Sequence, residues 1–413
     1  MGIFKNTVGI KDYLVYGSGQ IINLIAPLLI APFIISKCGI ENFGKVGVVT
    51  SVFLILSLFI DFGSTLIGVK EISINKDKKD YIRNYLNTVY SLKIIIFLLI
   101  LFIILITIFF LRNTIDYKLY LFSIPMLLAQ VFNPLWIYQG EEDFKTSNII
   151  IFISKGVYVV SVILLIKNKE DYIYIIPLLG LANFFIYFIY FVKIHKHNNL
   201  LLFSNSYENL KIESLNTYSI LLSNIFISIY INAPIIIVKY ILGDYAAGIY
   251  KIGDMLLTIY RSYLSVFFNV SFPKFCNFQT QNLKKGFSYL KSINILNIVF
   301  LLISSVIIYF AAIIYISNFS IDNNINNTIL FCSKFLFIPI VIALNIPFYQ
   351  ILIFNNQQKA ILKIIFSSTI IMLLMCYFLT LKYNVLGTLV SIYISESLTT
   401  LLIIIYFYKK HLN

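Results

Sequence analysis

Charge is what this chain lacks most. Of its 413 residues, 12% are Asp, Glu, Lys or Arg, about half the usual share for a soluble domain. Cysteine is scarce too: Cys38, Cys276, Cys332 and Cys376 are far apart, with no C-x-x-C pair. That excludes a disulfide scaffold and a cysteine-built metal site. There are three His, and the pair His195 and His197 flanks Lys196 in a loop, which reads as a basic element and not as a metal site. No glycine-rich phosphate loop follows a strand pattern, so no nucleotide or metal cofactor is expected. What is abundant is apolar: 59% hydrophobic residues, 37 Phe and 30 Tyr. Such a chain cannot cover a soluble surface and is too aromatic for disorder. A polytopic membrane protein remains.

A spanning helix needs about 20 mostly apolar residues. Twelve runs qualify, in the windows 13–36, 46–67, 89–111, 118–139, 148–166, 172–192, 215–238, 246–272, 293–317, 328–353, 361–381 and 385–408. They are continuously apolar and do not alternate with period two, so the expected fold is all-α and not a barrel. Lys and Arg concentrate on one side of this threading: Lys5 and Lys11, the loops 66–88, 193–214 and 273–292, and Lys409 and Lys410. Lys93 is counted with that side. The positive-inside rule then places both termini in the cytoplasm. This bias accounts for most of the net charge of +14, and no nucleic-acid partner is needed.

The chain echoes itself. Residues 31–37 read Ala-Pro-Phe-Ile-Ile-Ser-Lys and residues 233–239 read Ala-Pro-Ile-Ile-Ile-Val-Lys. Gly39, Gly44, Lys45 and Gly47 are then echoed by Gly243, Gly248, Lys251 and Gly253. The offset is about half the chain length, which predicts a duplicated six-span unit with domains 1–208 and 209–413. Both copies start from the same side, so the repeat is parallel, an arrangement that places transporter sites between the repeats.

Charges within spans are candidate functional groups. Lys251, Asp254, Thr258 and Arg261 share one helix face by their spacing. Lys251 and Asp254 are expected to pair, leaving Arg261 unpaired and free to bind an anion; snorkelling at the helix end is the plainer reading of Lys251. Lys155 is a second cationic candidate, or a helix-end anchor. Three acids lie within or at the ends of spans. Asp61 reads as a structural cap or as a coupling carboxylate. Asp254 and Glu396 are candidates to couple to H⁺ or Na⁺, and Glu396 has no charge near it in sequence.

Four stretches together are familiar. Pro27 to Gly44 resembles the first-span signature of the Wzx-type flippases, the polysaccharide-biosynthesis branch of the multidrug/oligosaccharidyl-lipid/polysaccharide (MOP) superfamily. Asp61-Phe-Gly63 with Gly68-Val-Lys-Glu-Ile72 resembles that family's second-span exit, and Asn133-Pro-Leu-Trp-Ile-Tyr-Gln-Gly-Glu141 its fourth-span motif. The Gly243–Gly253 stretch resembles its turn between spans seven and eight. One departure is Lys70, where family members often carry Arg; Lys loses the bidentate geometry that holds a phosphate.

The resemblance implies two six-helix lobes around a central cavity. It implies movement of an undecaprenyl-diphosphate-linked oligosaccharide, an O-antigen or capsule repeat unit, across the bacterial cytoplasmic membrane. It also implies a monomer in membrane lipid, with a polysaccharide polymerase as a candidate partner. Arg261, Lys251 and Lys155 would meet the diphosphate. Two other functions compete. A cation-coupled drug antiporter of the same superfamily would place acids in its cavity, where this chain is at least as basic. A membrane polymerase would carry a large extracytoplasmic loop with catalytic Arg or His, which this chain lacks.

Overall fold

The computed structural model describes residues 10–111, 113, 116–200, 207–281, 283–319, 323–355 and 357–411. Lys5 and the side chain of Lys11, part of the orientation argument, lie outside the described residues. The described chain is helical throughout. The helices are α1 Ile10–Asp61, α2 Val69–Ile74, α3 Lys79–Leu111, α4 Tyr117–Phe122, α5 Ile124–Val131, α6 Leu135–Gly140, α7 Phe144–Leu165 and α8 Ile175–Asn198. Then follow α9 Tyr207–Leu242, α10 Asp244–Gln281, α11 Leu283–Phe319, α12 Asn323–Ser333, α13 Ile338–Phe354 and α14 Gln358–His411. Short 3-10 and π segments join some of them. Hydrocarbon offers backbone groups no hydrogen-bond partner, and a helix satisfies them within itself.

Among the described residues, nine helical stretches are long and apolar enough to cross a membrane. Two are broken. Gly39 takes φ 82° inside α1, and Tyr383 and Asn384 leave helical geometry inside α14. The helix α10 is long, but Lys251, Asp254 and Arg261 interrupt its apolar run. Prolines sit inside α1 (Pro27, Pro32), α9 (Pro234) and α13 (Pro347), as neighbouring helices in a bundle permit.

The surface is apolar and polar groups turn inward. Along α3, Leu98, Leu99, Phe102, Ile103, Phe109 and Phe110 are exposed, while Asn87, Thr88, Ser91 and Lys93 are buried. This helix starts at Lys79, well before the apolar window opens. Lys93 is therefore not a loop charge on the cytoplasmic side, as the sequence reading had it; it is wholly buried inside a candidate span.

Two compact units divide within α9, between Ser228 and Ile229. In the amino-terminal unit α1 packs on α7, α5 and α3, and α5 packs on α8. Its core is aromatic, with Tyr85, Tyr90, Trp136 and Phe191 around Ile72, Leu86 and Val89. In the carboxy-terminal unit α10 packs on α11, α11 on α13, and α13 on α14. Tyr260, Leu264, Leu301 and Leu336 form one of its hydrophobic clusters. The echoed glycines Gly39 and Gly243 both take positive φ, 82° and 88°, each between two helical segments. Only glycine adopts that conformation freely.

Candidate functional site

Within the carboxy-terminal unit, four of the predicted residues meet. The Lys251 Nζ lies 3.1 Å from Asp254 Oδ2 on the same face of α10. Seven residues further along α10, Arg261 reaches two carboxylates: Nη1 is 4.0 Å from Asp254 Oδ1 and Nη2 is 3.6 Å from Glu396 Oε1 on α14. Thr258, in register between them, bonds the backbone, its hydroxyl donating to the Asp254 carbonyl at 2.8 Å.

The expectation of an unpaired Arg261 is thus corrected. Sequence spacing could identify the partner on its own helix but not one on α14, 135 positions away in a chain whose distant contacts only folding reveals. The pairing is loose. Charge-assisted N–H to carboxylate bonds are ordinarily about 2.7–2.9 Å, and both contacts of Arg261 are longer. Its guanidinium has five donors in a planar fork, and neither carboxylate is bound bidentately. Two cations face two anions, so the cluster is neutral overall when all four are ionised. The Arg261 side chain keeps 19% exposure and Glu396 9%, so the group is sheltered yet reachable.

Side chains that the sequence did not single out complete the cluster. Ser395, beside Glu396, donates to the Tyr230 hydroxyl of α9 at 2.9 Å. Tyr250, buried on α10, packs edge-on against Phe335, and Gly253 leaves room for that ring, since a Cβ there would stand 2.6 Å from it. Nothing in the sequence marks Tyr230 among 30 tyrosines.

The remaining candidates lie in the amino-terminal unit. Asp61 is 2% exposed at the end of α1. Its carboxylate accepts from Ser64 Oγ at 2.9 Å, Thr65 Oγ1 at 2.9 Å and Gln130 Nε2 at 3.0 Å. Phe62 and Gly63, which follow Asp61, both take positive φ, and the Ser64 and Thr65 bonds tie the following π-helix, Ser64–Gly68, back to the end of α1. Lys155 on α7 is half-buried and makes no hydrogen bond or ion pair with the described residues. No cluster of metal-ligating side chains occurs among the described residues.

Glu141 directly follows α6, outside the candidate spans. Burial holds its carboxyl above the usual range, with the neighbouring Asp143 charge adding to it and His197 and Lys76 opposing it.

Comparison with known proteins agrees with this architecture. Residues 10–279 match the family described as "Polysaccharide biosynthesis protein". A protein of Escherichia coli (strain K12) named "Putative O-antigen transporter" is 21% identical over 387 residues, covering 93% of each chain. One of the same name from Shigella dysenteriae is 22% identical, covering 94% of this chain and 96% of its own. Among solved structures, an inward-facing multidrug resistance MATE family transporter of the MOP superfamily superimposes with a TM-score of 0.67 at 14% identity, over 99% of this chain and 96% of that one. A MOP superfamily transporter from Pyrococcus furiosus, described as having a binding pocket of reverse polarity, gives 0.64 at 13% identity, over 97% and 95%. The fold is that of the MOP transporters, and the family is the one that the motifs at Pro27, Asp61 and Asn133 resemble. The match spans well over half of the chain: this multi-pass membrane protein belongs to the polysaccharide biosynthesis protein family.

Proposed function

We propose that the protein is a flippase that moves an undecaprenyl-diphosphate-linked oligosaccharide, an O-antigen or capsule repeat unit, across the bacterial cytoplasmic membrane by alternating access. The breaks in α1 and α14 and the polar helix α10 support twelve spans, with both termini in the cytoplasm. The observation that carries the reading is the loosely held guanidinium of Arg261, 3.6 Å and 4.0 Å from its two carboxylates.

A diphosphate cannot cross about 30 Å of hydrocarbon unaided. Arg is suited to phosphate because its planar fork binds two oxygens at once. An arriving diphosphate oxygen competes with Glu396 and Asp254 for Arg261. Protonation of Glu396 removes one competitor and leaves the cluster with a net positive charge, so anion binding and proton binding favour each other. Lys251 supplies a second cation. Lys155 is a further proposed diphosphate contact in the amino-terminal unit. The prenyl chain stays in lipid, and tyrosine rings stack on sugars while their hydroxyls hydrogen-bond them. Asp61 enters as a structural carboxylate, because its acceptor positions are already occupied.

The test is deletion of the gene followed by extraction of lipid-linked glycans. Complete units accumulating on the cytoplasmic leaflet, with loss of the surface polymer, would establish the reading. Single units accumulating on the outer leaflet would indicate a polymerase or ligase. An unchanged glycan profile would overturn it in favour of small-molecule efflux, which the two carboxylates of the cluster would also suit.

A further inference from the structure

The amino-terminal unit holds a charge that the proposed cycle does not use. Lys93 stands about 21 Å along α3 from Lys79 and is wholly buried. Its Nζ has no hydrogen-bond partner among the described residues. Two ring faces enclose it instead: the Trp136 ring centre is 5.2 Å away and that of Tyr90 5.9 Å. The seat for the indole is built into the backbone. A Cβ on Gly68 would stand 2.5 Å from the Trp136 ring, so the last residue of the π-helix must be bare for Trp136 to lie where it does. Single turns of π-helix occur often at functional sites.

Asp61 acts on Lys93 through its charge, but the two groups are held differently. Protonating Asp61 would take an acceptor from Ser64, Thr65 or Gln130. Deprotonating Lys93 breaks no hydrogen bond at all. Ring faces offset only part of what an ammonium loses on leaving water. The titratable groups around Lys93 are Asp61 at the α1 end, Tyr85 and Tyr90 on its own helix, Tyr138 on α6, and His195 on α8, which edges Phe191. Of these, only Asp61 is a carboxylate.

We propose that Lys93 is the proton-carrying group of the amino-terminal unit, its ammonium releasing one H⁺ to water and regaining it, with Asp61 as fixed counter-charge and Trp136 and Tyr90 as its walls. This inference is independent of what is transported, so it can fail while the export assay succeeds, and the reverse.

Trp136 is the sole tryptophan of the chain, and it lies against the ammonium. The emission of the purified full-length protein in lipid nanodiscs therefore reads the charge of Lys93 directly. A titration between about pH 6 and about pH 10, the ordinary values of His and Lys, should show a one-proton step in the emission maximum. Lys93→Met should abolish it. Lys93→Arg should abolish it too while keeping the positive charge, since a guanidinium does not release its proton. Asp61→Asn should move the step to lower pH. A wild-type protein with no step, or a step that persists in Lys93→Met or Lys93→Arg, would overturn the proposal.

Discussion

The two units treat buried charge in opposite ways. In the carboxy-terminal unit, Lys251, Asp254, Arg261 and Glu396 answer one another with charge, and each keeps between 9% and 20% of its side chain exposed. In the amino-terminal unit, Asp61 is hydrogen-bonded by neutral donors and Lys93 is walled by aromatic faces, and both are buried. The repeat sharpens the contrast. At the offset that relates Lys45 to Lys251, the positions matching Asp254 and Arg261 are Val48 and Ile55. At these two positions the helix that follows Gly39 is apolar and the helix that follows Gly243 is charged. A sheltered but reachable, loosely paired cluster is suited to the proposed exchange of partners with an anion. A sealed carboxylate with three donors holds a bend in place.

The largest effect that would break this contrast comes from Arg261. Arg261→Ala leaves two buried carboxylates facing each other's field, and removing one partner of a buried pair typically costs about 3–5 kcal/mol. Export of the surface glycan should fall at least about tenfold at normal protein level, a loss of about 1.4 kcal/mol or more. Full export by that variant would remove the anion site from the argument. Arg261→Lys should recover only part of it, because the planar fork is lost.

Next in size is the seat of the indole. Gly68→Ala places a methyl group 2.5 Å from the Trp136 ring, and overpacking a filled core costs about 1–3 kcal/mol. The melting temperature in detergent should drop, and the Trp136 emission should shift with it. An unchanged melting temperature would mean that the amino-terminal core is softer than its packing implies.

The two bends offer a like-for-like comparison of the copies. Gly39→Ala and Gly243→Ala each put a Cβ on a residue of positive φ with open space around it, where strain alone costs about 1–3 kcal/mol. Equal losses of thermal stability would support equivalent roles in a duplicated unit. A loss in one and not the other would break the equivalence.

The smallest effect belongs to Glu141. Partial burial at a largely exposed site, with the Asp143 charge adding to it, raises its folded-state value above the unfolded one, so the folded protein binds the proton more tightly. Its contribution to stability is therefore present at pH below the unfolded value and is lost as the pH rises through the raised one. Glu141→Gln should flatten that slope, which thermal unfolding across mildly acidic pH would register.

The sequence by itself determined a good deal. Apolar runs of spanning length leave a chain no choice but helices across a membrane, because the backbone must be satisfied without water. The half-length echo pairs Gly39 with Gly243, and the structure gives both a positive φ. Periodicity on α10 placed Lys251, Asp254 and Arg261 on one face, because intrahelical neighbours are fixed by 3.6 residues per turn. Only the tertiary structure decided what lies across from that face. Glu396 comes to Arg261 from α14, and no local spacing encodes a contact between distant helices. Lys93 shows the same limit from the other side. Its position in an apolar window was visible, but whether a lysine in such a window snorkels to water or turns inward depends on which rings and helices pack around it. Here Trp136, seated on the bare Gly68, closes over it.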